Sequence, residues 1–108
     1  MSSEIKKTLS LETDPKNIGA FIGSNGKNVR NIIKKSKLKI LDKKDISKED
    51  WESVLIDINF DKTETNIEAK ITCNEKNYDI IEGILLDYVT FHNKQMKILE
   101  KKKSNGVK

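Results

Sequence analysis

The chain is short of most of what protein chemistry is usually built from. Its 108 residues include one cysteine, Cys73, and one histidine, His92. A single cysteine excludes an internal disulfide and any multi-cysteine metal site, and a single histidine leaves no second imidazole to complete a metal shell. No metal, cofactor or catalytic residue is expected: acids on strand patterns, such as Asp57 and Glu68, have no partner base that a motif organises. Apolar runs are also short. Ile80-Ile81 and Ile84-Leu85-Leu86 fall far below the roughly 20 residues of a membrane helix, and Met1 to Lys7 holds no apolar signal core. The expectation is a soluble, unsecreted protein of the cytoplasm that makes no membrane contact, with a nuclear location left open by Lys101-Lys102-Lys103. Hydrophobic and charged residues each make up 35% of the chain, so one small core under a heavily ionised surface is expected at this length.

Two further scarcities are informative. The chain has 20 Lys but one Arg (Arg30), and 15 Ile and 10 Asn but only two Ala. Lys, Asn and Ile have A/T-rich codons, which points to an AT-rich genome such as that of a protist, a low-GC bacterium or a large DNA virus. Codon bias alone can therefore supply lysines, and the net charge of +4 hints only weakly at an anionic partner. Where acids are missing is more telling. The charge divides into +6 over residues 1–43, −4 over 44–74 and +2 over 75–108. Lys16 to Leu41 carries seven basic residues and no acid, which concentrates positive potential on one part of the surface.

Hydrophobic periodicity sets the expected elements. Ile5, Leu9 and Leu11 suggest a strand at about 5–12. Asp14-Pro15 reads as a helix start, with Asp capping and Pro where its missing N–H costs nothing, giving a short helix to Ile22. Gly23-Ser24-Asn25-Gly26 then forces a turn, and Val29, Ile32 and Ile33 restore a helical face from Lys27 to about Lys35. Leu38 and Ile40 alternate with lysines, which predicts a short strand at 38–41. Residues 42–50 read as a loop, with Trp51 packing it onto the domain. Val54, Ile56, Ile58 and Phe60, then Ile67, Ala69, Ile71 and Cys73, predict strands at 54–60 and 67–73 joined as a hairpin. From Asn74 as cap, one helix is expected over about 75–102, with Ile81, Ile84, Leu85, Tyr88, His92, Met96 and Leu99 on one stripe. His92 and Cys73 both fall on apolar faces and read as packing residues. The domain is placed at 5–100, with 1–4 and 103–108 as disordered ends.

The glycine run is the chemical feature. Nucleotide-binding motifs do not fit it: a P-loop needs Ser or Thr after Gly-Lys, and Gly26-Lys27 is followed by Asn28. A dinucleotide fingerprint needs G-x-G-x-x-G after a strand, and these glycines fall at 19, 23 and 26 after a helix. What remains is two helices joined by G-x-x-G. Glycines allow close backbone approach, the second helix offers free N–H groups and a positive dipole end, and Lys27 adds a full charge. Lys27, Arg30 and Lys34 lie within about 60° of one another on a helical wheel, beside the apolar face.

The run Ile18-Gly19-Ala20-Phe21-Ile22-Gly23-Ser24-Asn25-Gly26-Lys27 resembles the KH (K-homology) signature I-G-x-x-I-G-x-x-G-K without a gap. The order strand, helix, G-x-x-G, helix, strand, strand, helix resembles the eukaryotic-type (type I) arrangement over about residues 5 to 92. The resemblance implies an α+β fold, an antiparallel sheet of three or four strands packed on three helices in β-α-α-β-β-α order, with an extra strand and a long C-terminal helix in this chain. It also implies binding of about four nucleotides of single-stranded RNA, or DNA, in a groove beside the loop. By position, Gly23, Ser24, Asn25 and Gly26 would touch the ligand backbone, helped by Lys27, Arg30 and Lys34. Ile18, Gly19 and Ile22 would line one apolar wall, and Ile40 with Lys37 and Lys39 the other. The aromatic share of 6% suits this mode better than a sheet-stacking RRM. The chain departs from the family in two respects: its loop lacks the usual basic residue between the glycines, and it offers three strand candidates after Ile33 where the family has two. If the hairpin supplies both family strands, 37–52 is an insertion and Ile40 loses its role. A second expectation is a protein partner or homodimer through the C-terminal helix, whose Met96, Ile98 and Leu99 end outruns the domain.

Overall fold

The computed structural model describes residues 3–106, with side chains described through Leu99. Three strands and four helices follow in the order β1 (Glu4–Leu11), α1 (Ile18–Ile22), α2 (Lys27–Leu41), α3 (Lys48–Ser53), β2 (Ile56–Lys62), β3 (Ile67–Asn74) and α4 (Tyr78–Gly106). The strands form one antiparallel sheet ordered β1-β3-β2. The fold is therefore α+β with a long C-terminal helix, as expected.

β3 is central because it is the strand with four buried residues at period two. Ile67, Ala69, Ile71 and Cys73 face the helices, and the register sets Ala69 opposite both Leu9 and Phe60. On the edges, β1 turns Lys6, Lys7, Thr8 and Ser10 to solvent and β2 exposes Asp57, Asn59 and Asp61, the polar dressing that keeps unpaired strand edges from joining other chains. The core joins Leu11, Phe21, Ile32, Ile58, Ile71, Ile81 and Leu85, and each such side chain contributes roughly 1.5–3 kcal/mol on burial. Cys73 is fully buried among them and its thiol is pushed up by desolvation. It fills space.

The first difference from expectation is in α2. The predicted strand at 38–41 is absent, and α2 continues through it to Leu41. The helical face runs on at 36, 37, 40 and 41, but two of those inward positions carry polar residues, which hides the period. Ser36 is fully buried and gives its hydroxyl to the Ile32 carbonyl at 2.8 Å. Lys37 is 4% exposed, donates to the Trp51 carbonyl and sets its Nζ 4.0 Å from the centre of the Trp51 ring. Helix α2 stops where Asp42 takes a left-handed conformation (φ 53°) and the Lys43 N–H donates to the Leu38 carbonyl at 3.1 Å, an αL termination with Asp in glycine's usual place.

The expected loop at 42–50 also hides a helix. Ser47 accepts from the Asp50 N–H at 3.1 Å while the Asp50 carboxylate accepts from the Ser47 N–H at 3.3 Å, a capping box that starts α3. Lys43 pairs with Asp50 at 2.9 Å, and the pairing helps hold that carboxyl below its ordinary range. Trp51 then anchors α3 on the end of α2. The hairpin is present with β2 shifted two residues later than expected, closed by the Thr63 N–H donating to the Asn66 carbonyl at 2.8 Å.

Helix α4 is tied to the chain start by Asn93. Its Nδ2 donates to the Glu12 carbonyl at 2.9 Å, and its Oδ1 accepts from the Thr13 hydroxyl at 2.6 Å. The helix passes its expected end to Gly106, into the segment expected to be disordered; of the disordered ends expected at 1–4 and 103–108, residues 1–2 and 107–108 lie outside the described residues. Among the described residues no helix is long and apolar enough to cross a membrane.

Candidate functional site

The glycine run forms the sharpest backbone feature of the molecule. A 3-10 turn, Pro15–Asn17, capped by the Asp14 carboxylate on the Lys16 N–H at 2.9 Å, leads into the five residues of α1. The Gly23 N–H ends that helix on the Gly19 carbonyl at 2.9 Å. Gly23 itself has φ 81° and ψ 167°, a region open to glycine alone. A Cβ there would also lie 2.8 Å from Nδ2 of Asn28. A second tight turn over Ser24–Gly26 follows, with Asn25 at φ 54° and Gly26 at φ 72°, before α2 begins at Lys27.

Three side chains lock this path, and two were not foreseen from sequence. Asn28 donates to the carbonyls of Ala20 (3.1 Å) and Phe21 (3.3 Å), closing the C-terminus of α1. The Tyr88 hydroxyl, from α4, donates to the same Phe21 carbonyl at 2.7 Å, and burial raises the phenol's pKa. Nothing in the sequence pattern links Tyr88 to residue 21. The third, Arg30, was expected to reach a ligand, and here its Nη1 also donates to the Asn25 carbonyl. Below the loop, Phe21 is fully buried and meets Phe60, Tyr88 and His92 edge-on, with ring centroids 5.1, 4.9 and 5.0 Å away. His92 is 3% exposed, its Nε2 has no hydrogen-bond partner, and burial lowers its pKa.

Within the loop the N–H groups of Gly23, Gly26 and Lys27 donate to the carbonyls of Gly19, Gly23 and Ser24. Gly26 caps α2 with no side-chain acceptor on the first-turn N–H groups, which leaves the positive end of a 15-residue helix open. Ser24, Asn25, Lys27, Arg30 and Lys34 are all exposed. On the other side of the loop, Ile18 and Ile22 are half-buried and Gly19 is exposed. A Cβ on Gly19 would meet nothing within 4 Å, so the absence of a side chain there serves no contact inside the protein.

The remaining expected site residues lie elsewhere. Lys37, Lys39 and Ile40 belong to the far end of α2, roughly 15–20 Å along the helix from Gly26. Lys37 is held under Trp51, Lys39 is exposed, and Ile40 lies half-buried beside Val54 and Leu55 in a separate depression of about 620 Å³. None of the three can form a wall opposite the loop, because no strand exists at 38–41. The element that does pack across from α1 is β2, through Phe60 on Phe21. Among the described residues no group of three or more His, Cys, Asp or Glu is placed to hold a metal. The chain matches no protein-family model, no curated protein and no solved structure.

Proposed function

We propose that the chain binds single-stranded nucleic acid, RNA in preference to DNA, in the manner of a KH domain. The observation that carries the reading is the loop Gly23–Gly26. Its backbone takes positive φ at Gly23, Asn25 and Gly26 and is braced by Asn28, Tyr88 and Arg30, and it presents an uncapped helix start flanked by exposed Lys27, Arg30 and Lys34. That combination suits a sugar-phosphate backbone: small residues allow close approach, N–H groups and cations meet the phosphates, and an apolar strip of Ile18, Gly19 and Ile22 lies alongside for the bases. The element order around it is the one the KH resemblance implies, with α3 and its flanking loops inserted between α2 and β2. On this reading β2, not 38–41, forms the second wall of the groove.

The test is binding of a short unstructured oligonucleotide by fluorescence anisotropy over a range of salt. Contact with two to four phosphates gives a slope of log K against log salt of about −1.4 to −2.8. Asp at both Ser24 and Asn25 should abolish binding while circular dichroism and thermal unfolding stay unchanged, since both side chains are exposed. Undiminished affinity in that variant refutes the reading.

A further inference from the structure

Beyond Asn93 the long helix has left its domain. Ile98 is 40% exposed and Leu99 54%, and within the domain Phe91 is already 57% exposed. Ile84, Phe91 and Ile98 recur every seven residues and so share one stripe. The stripe continues into a groove of about 470 Å³ between α2 and α4, bordered by Ile32, Ile84 and Phe91. An isolated helical extension of this length is marginal in water unless its apolar side is covered.

The charges of α4 say what would cover it. From Tyr78 to Thr90 the helix carries Asp79, Glu82 and Asp87 and no Lys or Arg, a charge of −3. From Phe91 to Gly106 it carries five Lys and one Glu, a charge of +4. The helix is thus acidic in one half and basic in the other, with Phe91 at the junction. Asp87 and Lys94, seven residues apart and both exposed, flank the stripe on the same side. Among the described residues the ion pairs are Lys43–Asp50 and Lys70–Asp61, so neither of these two pairs with another described residue.

We propose that α4 pairs antiparallel with α4 of a second copy, crossing near Phe91 so that each acidic half lies on the other's basic half. Two-fold symmetry then makes the Asp87–Lys94 contact twice, brings the Ile98 end of each helix over the partner's Ile84, and seats it beside the α2–α4 groove. A parallel pairing would set the two acidic halves side by side and the two basic halves side by side. The inference is independent of nucleic-acid binding, since it uses none of the loop residues.

Sedimentation of the full chain across the micromolar range tests it. The expected mass is that of a dimer, falling to a monomer in Phe91→Asp with an unchanged circular dichroism spectrum. Asp87→Lys and Lys94→Asp should each weaken the dimer about tenfold. Mixed together, the two variants restore both pairs in a heterodimer that is tighter than either alone; the weakening of each variant by itself reports the antiparallel register, since a parallel pair, with like halves together, would be tightened by either change. A wild-type chain that stays monomeric, a Phe91→Asp chain that stays dimeric, or a mixture no tighter than its parts would each overturn the proposal. So would a monomer whose oligonucleotide affinity is lost in Phe91→Asp, because the stripe would then serve that ligand.

Discussion

The two ends of α2 carry the same kind of residue and use it in opposite ways. Arg30 and Lys37 stand two turns apart on nearly the same side of the helix, yet the first is exposed beside the glycine turn and the second is 4% exposed under Trp51. What separates them is α3, which packs over the C-terminal end and leaves the N-terminal end uncovered. A lysine stem can lie along apolar surface, and its ammonium is tolerated there when a carbonyl and a ring face receive it. Burial still disfavours that charge, so the pKa of Lys37 is lowered. The +7 counted over Lys16 to Leu41 is therefore not one reservoir of free charge. Part of it helps hold the fold together, and the part beside the loop is what a ligand could meet.

The strongest way to break this comparison is to remove the support of the N-terminal end without touching any charge. Phe21 is fully buried against Phe60, Tyr88 and His92, and its carbonyl takes the Tyr88 and Asn28 donors. Phe21→Ala should cost roughly 3–5 kcal/mol of stability by thermal or denaturant unfolding. Binding should fail with it, although Lys27, Arg30 and Lys34 remain. Retained affinity in a chain destabilised that far would show that the loop needs no scaffold.

Exchanging the two kinds of lysine sharpens the contrast. Lys37→Met keeps the stem but leaves the Trp51 carbonyl without its donor, and should cost about 1–3 kcal/mol of stability with the salt slope of oligonucleotide binding unchanged. Lys27→Met should do the reverse, holding stability within about 0.5 kcal/mol and lowering the salt slope by about 0.7. Equal effects of the two changes on binding would erase the distinction between the ends.

His92 gives a pH-dependent view of the same scaffold. Its folded pKa lies below the ordinary 6.5 because burial disfavours the imidazolium, so the unfolded chain binds the proton more readily. Stability should fall as pH drops below about 6.5 and go on falling until the folded pKa is passed. In His92→Phe that slope should disappear from a pH series of unfolding curves, and its persistence would assign acid sensitivity to other groups.

Much of this fold was legible because its apolar residues keep their period. β3 shows period two with no exception, and α4 keeps a helical stripe through Ile81, Leu85, Val89 and His92. The glycine turn was legible for a different reason, since Gly23 and Gly26 occupy backbone states few other residues tolerate. Failure came where polar residues took inward positions. Ser36 and Lys37 break the hydrophobic period of α2 while hydrogen bonds to the Ile32 and Trp51 carbonyls satisfy them at buried positions, so four residues with a local alternation read as a strand. The capping box at Ser47 was present in the sequence, but Asp at its third position is a weaker signal than Glu. The roles of Tyr88 and Asn28 depend on contacts that tertiary folding alone creates.

The smallest expected change is the most diagnostic. Glycine inside a helix is less favourable than alanine by about 0.5–1 kcal/mol, and a Cβ on Gly19 would meet no atom within 4 Å beyond its chain neighbours and its own helix backbone. Considered as protein alone, Gly19→Ala should therefore stabilise α1 and raise the unfolding midpoint slightly. If Gly19 instead keeps a wall of the groove low enough for a base to lie against it, the same methyl group stands where the ligand must pass. Affinity should then drop several-fold while stability rises, which no general loosening of the fold can produce. A variant that is both more stable and equally tight in binding would move the ligand away from α1, leaving the loop and the N-terminal face of α2 as the whole of the contact.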